Sequence, residues 1–188
     1  MPDLPVLYRR DGRFARITLN RPEVLNAIDD TLPSALETAV ERANSDQNIR
    51  IIILDGLGRA FCAGYDLNFY AETAGSNPGI QDMPWDPLTD FAFMQKTTNQ
   101  IMSIWRSLIP VICKVHGYAV AGGSDIALCA DLLMIGKDAK IGYPPARVWG
   151  CPTTALAMRK QFLSILLGES PHIPAHSNQG ARVVGGWR

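Results

Sequence analysis

The chain has 188 residues and a mass of 20.6 kDa, enough for one domain with a sizeable core and too short for two ordinary ones. Eighteen Lys+Arg balance eighteen Asp+Glu, which excludes a surface that is basic throughout and built for nucleic acid or anionic lipid. Apolar residues at 47% and charged residues at 19% give a globular composition rather than a disordered one.

Met1-Pro2-Asp3-Leu4-Pro5 carries an acid and two prolines where a secretory signal has a basic and then an apolar stretch. Val6-Leu7-Tyr8 and Phe14 to Leu19 flank Asp11-Gly12, a pair that takes positive φ cheaply, so 6–20 reads as a β-hairpin. Asn20-Arg21-Pro22 ends its second strand, since proline has no N–H for a ladder. From Thr31 to Asn44, Leu32, Leu36, Ala39, Val40 and Ala43 recur at helical spacing, with Glu37 and Glu41 outward. Ile49 to Leu54 is a short apolar run suited to a strand covered on both faces.

Ala74 to Asp86, rich in Gly, Pro and Asn, predicts a surface loop. Helical periodicity returns through Phe91, Met94, Ile101, Ile104 and Trp105, giving a helix over 91–108 that Pro110 closes. Val111 to Val115 predicts a strand, Gly122 to Ala130 a short helix, and Leu132 to Ile135 another buried strand. Strand, glycine turn, helix and strand thus recur, which argues for stacked ββα units. Gly168 to Arg188 is glycine-rich, has no period and reads as frayed or loosely packed.

Cys62, Cys113, Cys129 and Cys151 form no C-x-x-C pair and have no histidine at zinc-ligand spacing. They fit buried thiols in a reduced compartment. His172 and His176 sit beside prolines with no acid motif nearby, so no metal site is expected. Val111 to Ile135, the most apolar long segment, is broken by Lys114, His116, Asp125 and Asp131, too many polar groups for a membrane helix. The expectation is a cytoplasmic protein with no nucleic-acid or membrane partner.

Two glycine-containing turns carry the chemistry, Ala60 to Leu67 and His116 to Asp125. Each follows a predicted strand, where ligands bind in such architectures. Gly122 and Gly123 lack Cβ, so a ligand atom can approach their backbone, and they open a helix whose unpaired amides favour a negative oxygen.

Phe61-Cys62-Ala63-Gly64-Tyr65-Asp66-Leu67 followed by His116-Gly117-Tyr118-Ala119-Val120-Ala121-Gly122-Gly123 resembles the crotonase (enoyl-CoA hydratase/isomerase) superfamily. Asn20-Arg21-Pro22-Glu23-Val24-Leu25-Asn26-Ala27, Ile141-Gly142-Tyr143-Pro144-Pro145 and Gly150-Cys151-Pro152 continue that resemblance in order, over about residues 6–156. It implies an α/β fold, a crotonase-like stacked ββα superhelix, and an acyl-CoA thioester as small-molecule partner. Coenzyme A then enters as part of the substrate, no cofactor is permanently bound, and the assembly is a homotrimer or hexamer. The resemblance further implies that the backbone amides of Tyr65 and Gly122 hold the thioester carbonyl as it gains enolate character. Leu25, Ala63, Tyr65, Asp66, Leu67, Asn68 and Gly122 would line the substrate and CoA path; the family often has lysine where Asn68 stands.

Hydratases of that family use two glutamates. The first matching position holds Asp125, one methylene shorter, and the second holds Pro145, which neither gives nor takes a proton. Two-glutamate hydration is therefore not supported. Asp125, three residues after Gly122, suits a single general acid/base in an isomerisation or another enolate reaction. It reads equally as a first-turn acid that stabilises the helix by about 0.3–1 kcal/mol. Tyr143 and Arg147 flank the replaced glutamate and offer a phenol or a guanidinium. His116 and Ser124, with Asp125 or Asp131, also admit a Ser/His hydrolase, but no G-x-S-x-G elbow is present.

After Ala155 the resemblance fades. Residues 1–156 are expected to be the crotonase-like acyl-CoA-binding core. Residues 157–188 are expected to be a divergent or truncated segment, helical over 156–167 and then loosely ordered, with the C-terminal helical subdomain largely missing. Two functions of different class follow. One is an acyl-CoA lyase or isomerase using Tyr65, Gly122 and Asp125; the other is a non-catalytic or vestigial CoA-ester-binding protein, which Pro145 favours.

Overall fold

The computed structural model of the chain describes residues 4–72, 81, 83–144 and 182–185. Pro145, Arg147, Cys151, the expected helix over 156–167 and most of the expected loop over 74–86 lie outside them. Strands β1 (Val6–Asp11) and β2 (Phe14–Leu19) form the predicted hairpin, antiparallel from Val6↔Leu19 to Asp11↔Phe14. Gly12 turns it at φ +57.

After a 3-10 turn over Pro22–Val24 comes helix α1 (Leu32–Ser45), whose buried face includes the predicted stripe Leu32, Leu36, Ala39, Val40 and Ala43. Asp29 Oδ1 accepts from the Thr31 and Leu32 amides and satisfies donors that the helix start leaves open. Strand β3 (Ile51–Gly56) lies two residues later than its apolar run suggests. Ile49 instead closes a turn onto Asp46, and Asp55 extends the strand because Arg16 Nε and Thr18 Oγ1 bond its carboxylate at 2.9 and 2.7 Å.

Helix α2 (Pro87–Ile101) starts four residues before the expected helix and ends seven before it. Asp86 accepts from the Leu88 amide and Pro87 stands at the first turn, a start signal that the apolar period alone overlooks. Strand β4 (Val111–Val115) runs as predicted, and Gly117 at φ +58 turns the chain into β5 (Tyr118–Val120). Helix α3 (Gly122–Leu128), β6 (Leu132–Ile135), β7 (Lys140–Gly142) and β8 (Arg182–Gly185) follow. Strands β5 and β7 have three residues each, too few for a readable period. Residues 182–185 form β8, antiparallel to β6 from Leu132↔Gly185 to Ile135↔Arg182.

The main sheet has the order β1-β2-β3-β4-β6-β8, parallel from β2 through β6 and antiparallel at both ends. Strands β5 and β7 form a separate parallel pair. Ile17, Leu19, Ile52, Leu54, Val111 and Cys113 of the sheet are buried with Leu32, Leu36 and Val40 of α1. Each fully buried Leu or Ile contributes about 1.5–3 kcal/mol. That core is the platform from which the two glycine turns project.

Candidate functional site

The first turn is held from two sides. Cys62 donates to the Tyr118 carbonyl at 3.0 Å and accepts from the Val120 amide at 3.1 Å, which stitches it to β5. On the other side Ala63 donates to Leu25, Ile28 to Gly64 at 2.8 Å, and Asp66 to Ile28 at 2.9 Å. Both bonds of the parallel bridge between Ile28 and Tyr65 use the N–H and C=O of Ile28. In that pattern the peptide groups of Tyr65 itself face the opposite way, away from Ile28.

The second turn approaches from that opposite side. A Cβ on Gly117 would lie 2.0 Å from the Arg59 carbonyl oxygen, and one on Gly123 would lie 2.3 Å from that of Cys62. Only glycine lets these backbones touch. Ala121 sits at φ 50, ψ −126, a conformation that costs a non-glycine residue about 1–3 kcal/mol. Three bonds onto its carbonyl, from the Ser124 amide, the Asp125 amide and Ser124 Oγ, hold it there, and its own N–H donates to Gly142.

The peptide that follows presents the Gly122 amide, first in α3 and ahead of the helix's own bonded donors. Among the described residues it has no backbone acceptor. The β-carbon position of Gly64 is 3.7 Å from Gly122 N and 3.0 Å from Ala121 Cβ. Gly64, the residue before Tyr65, therefore packs against the start of α3.

Most of the predicted site residues gather here. The Tyr65 ring packs 2.9 Å from the β-carbon position of Gly122 and edge-on to Tyr70, with ring centroids 5.8 Å apart. Burial, then Tyr65 and the carboxylates of Asp30, Asp29 and Asp66, push the Tyr70 phenol well above its ordinary range. Leu25, at φ 56, offers its carbonyl to the half-buried Ala63. Asp125 is fully buried one helical turn past Gly122.

Asp66 is buried, and its carboxylate meets Arg21 Nη2 at 3.1 Å and the Phe69 amide at 3.3 Å. Leu67, 66% exposed, and Asn68 project outward from this cluster. Burial pushes the Cys62 thiol up to about 12, so it is a protonated core group at neutral pH.

The Ser/His arrangement does not assemble. Ser124 Oγ donates to the Ala121 carbonyl at 2.6 Å, while His116 Nε2 lies 3.0 Å from the Gly58 carbonyl. Each is engaged with a different backbone oxygen. Among the described residues no three His, Cys, Asp or Glu side chains cluster as metal ligands, and no helix is long and apolar enough to cross a membrane.

Three residues that shape the site carry no signal of their own in period or composition: Arg21, Asn26 and Ala121. Asn26 is fully buried; it accepts from the Arg21 amide and donates to the Leu57 and Ala60 carbonyls. A buried asparagine beside a predicted strand end could have flagged it, because buried polar groups must be satisfied. A cleft of about 260 Å³, lined in part by Asn20, Arg21, Glu23, Asp29 and Thr31, opens at the start of this loop rather than at the two amides.

A family model described as enoyl-CoA hydratase/isomerase matches residues 9–168. A probable enoyl-CoA hydratase of Mycobacterium bovis is 29% identical over 177 residues, spanning 88% of this chain and 62% of the relative. The (E)-benzylidenesuccinyl-CoA hydratase of Thauera aromatica is 32% identical over 146 residues, 77% of this chain and 52% of that protein. The crystal structure of an enoyl-CoA hydratase from Mycobacterium smegmatis superposes with a TM-score of 0.74 at 43% identity, over 88% of this chain and 59% of that one. The chain thus spans about half to three-fifths of the length of these relatives.

Proposed function

Since the chain belongs to the enoyl-CoA hydratase/isomerase family and has its α/β crotonase fold, we propose that it binds an acyl-CoA thioester and stabilises the enolate formed from it. The observation that supports this reading is the approach of Gly64, the residue before Tyr65, to the Gly122 amide, whose nitrogen lies 3.7 Å from the β-carbon position of Gly64. Two amides held by the surrounding backbone need no reorganisation as negative charge grows on a carbonyl oxygen between them. Losing one such donor typically costs about 3–4 kcal/mol of barrier.

Coenzyme A comes and goes with the substrate, and no resident cofactor is required. Leu25, Ala63, Asp66, Leu67 and Asn68 line the approach of the thioester. A homotrimer or hexamer in the cytoplasm is the assembly and setting that family resemblance favours.

We assign the proton steps to the carboxylate of Asp125. In an isomerisation it takes a proton from the carbon beside the double bond, and the electron pair moves through the conjugated system to the thioester oxygen at the two amides. The same carboxyl then returns the proton to the far end of the dienolate, so the double bond shifts and nothing else is consumed. A steady-state survey of enoyl-CoA substrates tests this. Turnover that falls by about 10²-fold or more in D125N, with thioester affinity kept, supports the assignment. Unchanged turnover in D125N removes Asp125 from the mechanism.

A second reading, CoA-ester binding without turnover, is favoured by Pro145 where the second family glutamate would stand. Its signature is thermal stabilisation by acyl-CoA with no product from any substrate in the survey.

A further inference from the structure

Arg21 stands just past β2, and its guanidinium reaches both strands of the bridge that carries Tyr65. Nη1 donates to the Ala27 carbonyl, next to Ile28; Nη2 lies 3.1 Å from Asp66 Oδ2 and 3.4 Å from Asp29 Oδ2. Asp29 is shared, because its other oxygen caps α1. Asp66 is shared too, since its Oδ1 accepts from the Phe69 amide. The side chains of Arg21, Asp29 and Asp66 are only 20%, 14% and 10% exposed. Solvent therefore screens this cluster far less than the Arg10–Asp46 pair, at 49% and 26%.

We propose that Arg21 is a positioning residue that fixes the direction of the Tyr65 amide, by clamping Asp66 to the Ala27–Asp29 segment. This rests on the proposed function of that amide. Gly64, at φ +97, has no side chain to restrain the peptide it shares with Tyr65. The bonds of Cys62 to β5 and the two bonds to Ile28 hold the backbone before and beside Tyr65. The Asp66 carboxylate, one residue past Tyr65, adds a side-chain restraint, and through Arg21 and Asp29 that restraint reaches the start of α1. A misplacement of about 1 Å at such a site is enough to cost about 10²-fold.

Titration calorimetry with butanoyl-CoA and with S-butyl-CoA, the thioether that lacks the carbonyl oxygen, separates the carbonyl contact from all others. Wild-type protein is expected to bind the thioester more tightly. In R21Q and in D66N that preference falls by at least about ten-fold, a fraction of the loss from deleting a donor outright, while R21Q keeps its thioether affinity. R16Q, which breaks the pair of Arg16 with Asp55 elsewhere on the sheet, keeps the preference. A lost fold would move both ligands together, so the ratio reports positioning alone. If R21Q does not fold, D66N carries the test, because its side-chain oxygen still accepts from Phe69.

A preference kept in folded R21Q and D66N overturns the positioning role. A preference absent from wild type overturns the donor pair itself, and this assignment falls with it.

Discussion

In the paired turns over 60–66 and 116–125, backbone groups bond backbone groups from distant parts of the chain, and two glycines are demanded by contacts of 2.0 and 2.3 Å. Helix α2 is built on other terms: only Thr97 and Ile101 are buried, and Leu88 and Phe91 are 72% and 60% exposed. Met83 and Trp85, just before it, are 85% and 58% exposed. The groups proposed to hold the reacting oxygen thus sit among main-chain contacts, which the Arg21–Asp66 ion pair supplements. The apolar side chains of α2 define no comparable site among the described residues.

That contrast can be broken most severely at Gly123. A methyl group there meets the Cys62 carbonyl, which is backbone and tied to Val120. G123A is expected to lose more than about 4 kcal/mol in urea denaturation, the range reserved for forced rearrangement of a packed core.

A smaller effect follows from Cys62 in the same turn. Its thiol ionises near 9.0 when exposed and is pushed up to about 12 in the folded chain, because burial disfavours the thiolate. Below pH 9 the two states bind this proton equally. Between pH 9 and about 12 only the unfolded chain releases it, so stability falls as pH rises, by at most about 1.4 kcal/mol per pH unit. Melting curves of C62A should lack this component; an identical alkaline slope in C62A would place its origin elsewhere.

The smallest change is expected on α2. L88Q and F91S should each alter unfolding free energy by no more than about 0.5 kcal/mol, as exposed positions do. A loss several times larger would mean that something covers this face and would erase the contrast.

The sequence made much of this legible. The hairpin at Asp11-Gly12, the stripe of α1 and strands β4 and β6 follow from period and turn chemistry, because each is a local decision. Strands β5 and β7 were hidden: their partners are non-local, and three residues cannot carry a period. The end of β3 was hidden because Asp55 looks like a strand breaker until Arg16 and Thr18 are seen across from it. At the site, the glycines were readable as places of close approach. Which backbone each one meets was not, nor was the strained Ala121 that aims Gly122. Arg21 was visible only as part of a motif, since its three acceptors come from positions 27, 29 and 66.

A crystal structure of the protein with a bound acyl-CoA tests the account most directly. The thioester oxygen should lie about 2.7–3.1 Å from both Tyr65 N and Gly122 N. An oxygen that reaches only one of them, or a thioester seated away from the meeting point of the two turns, would contradict it.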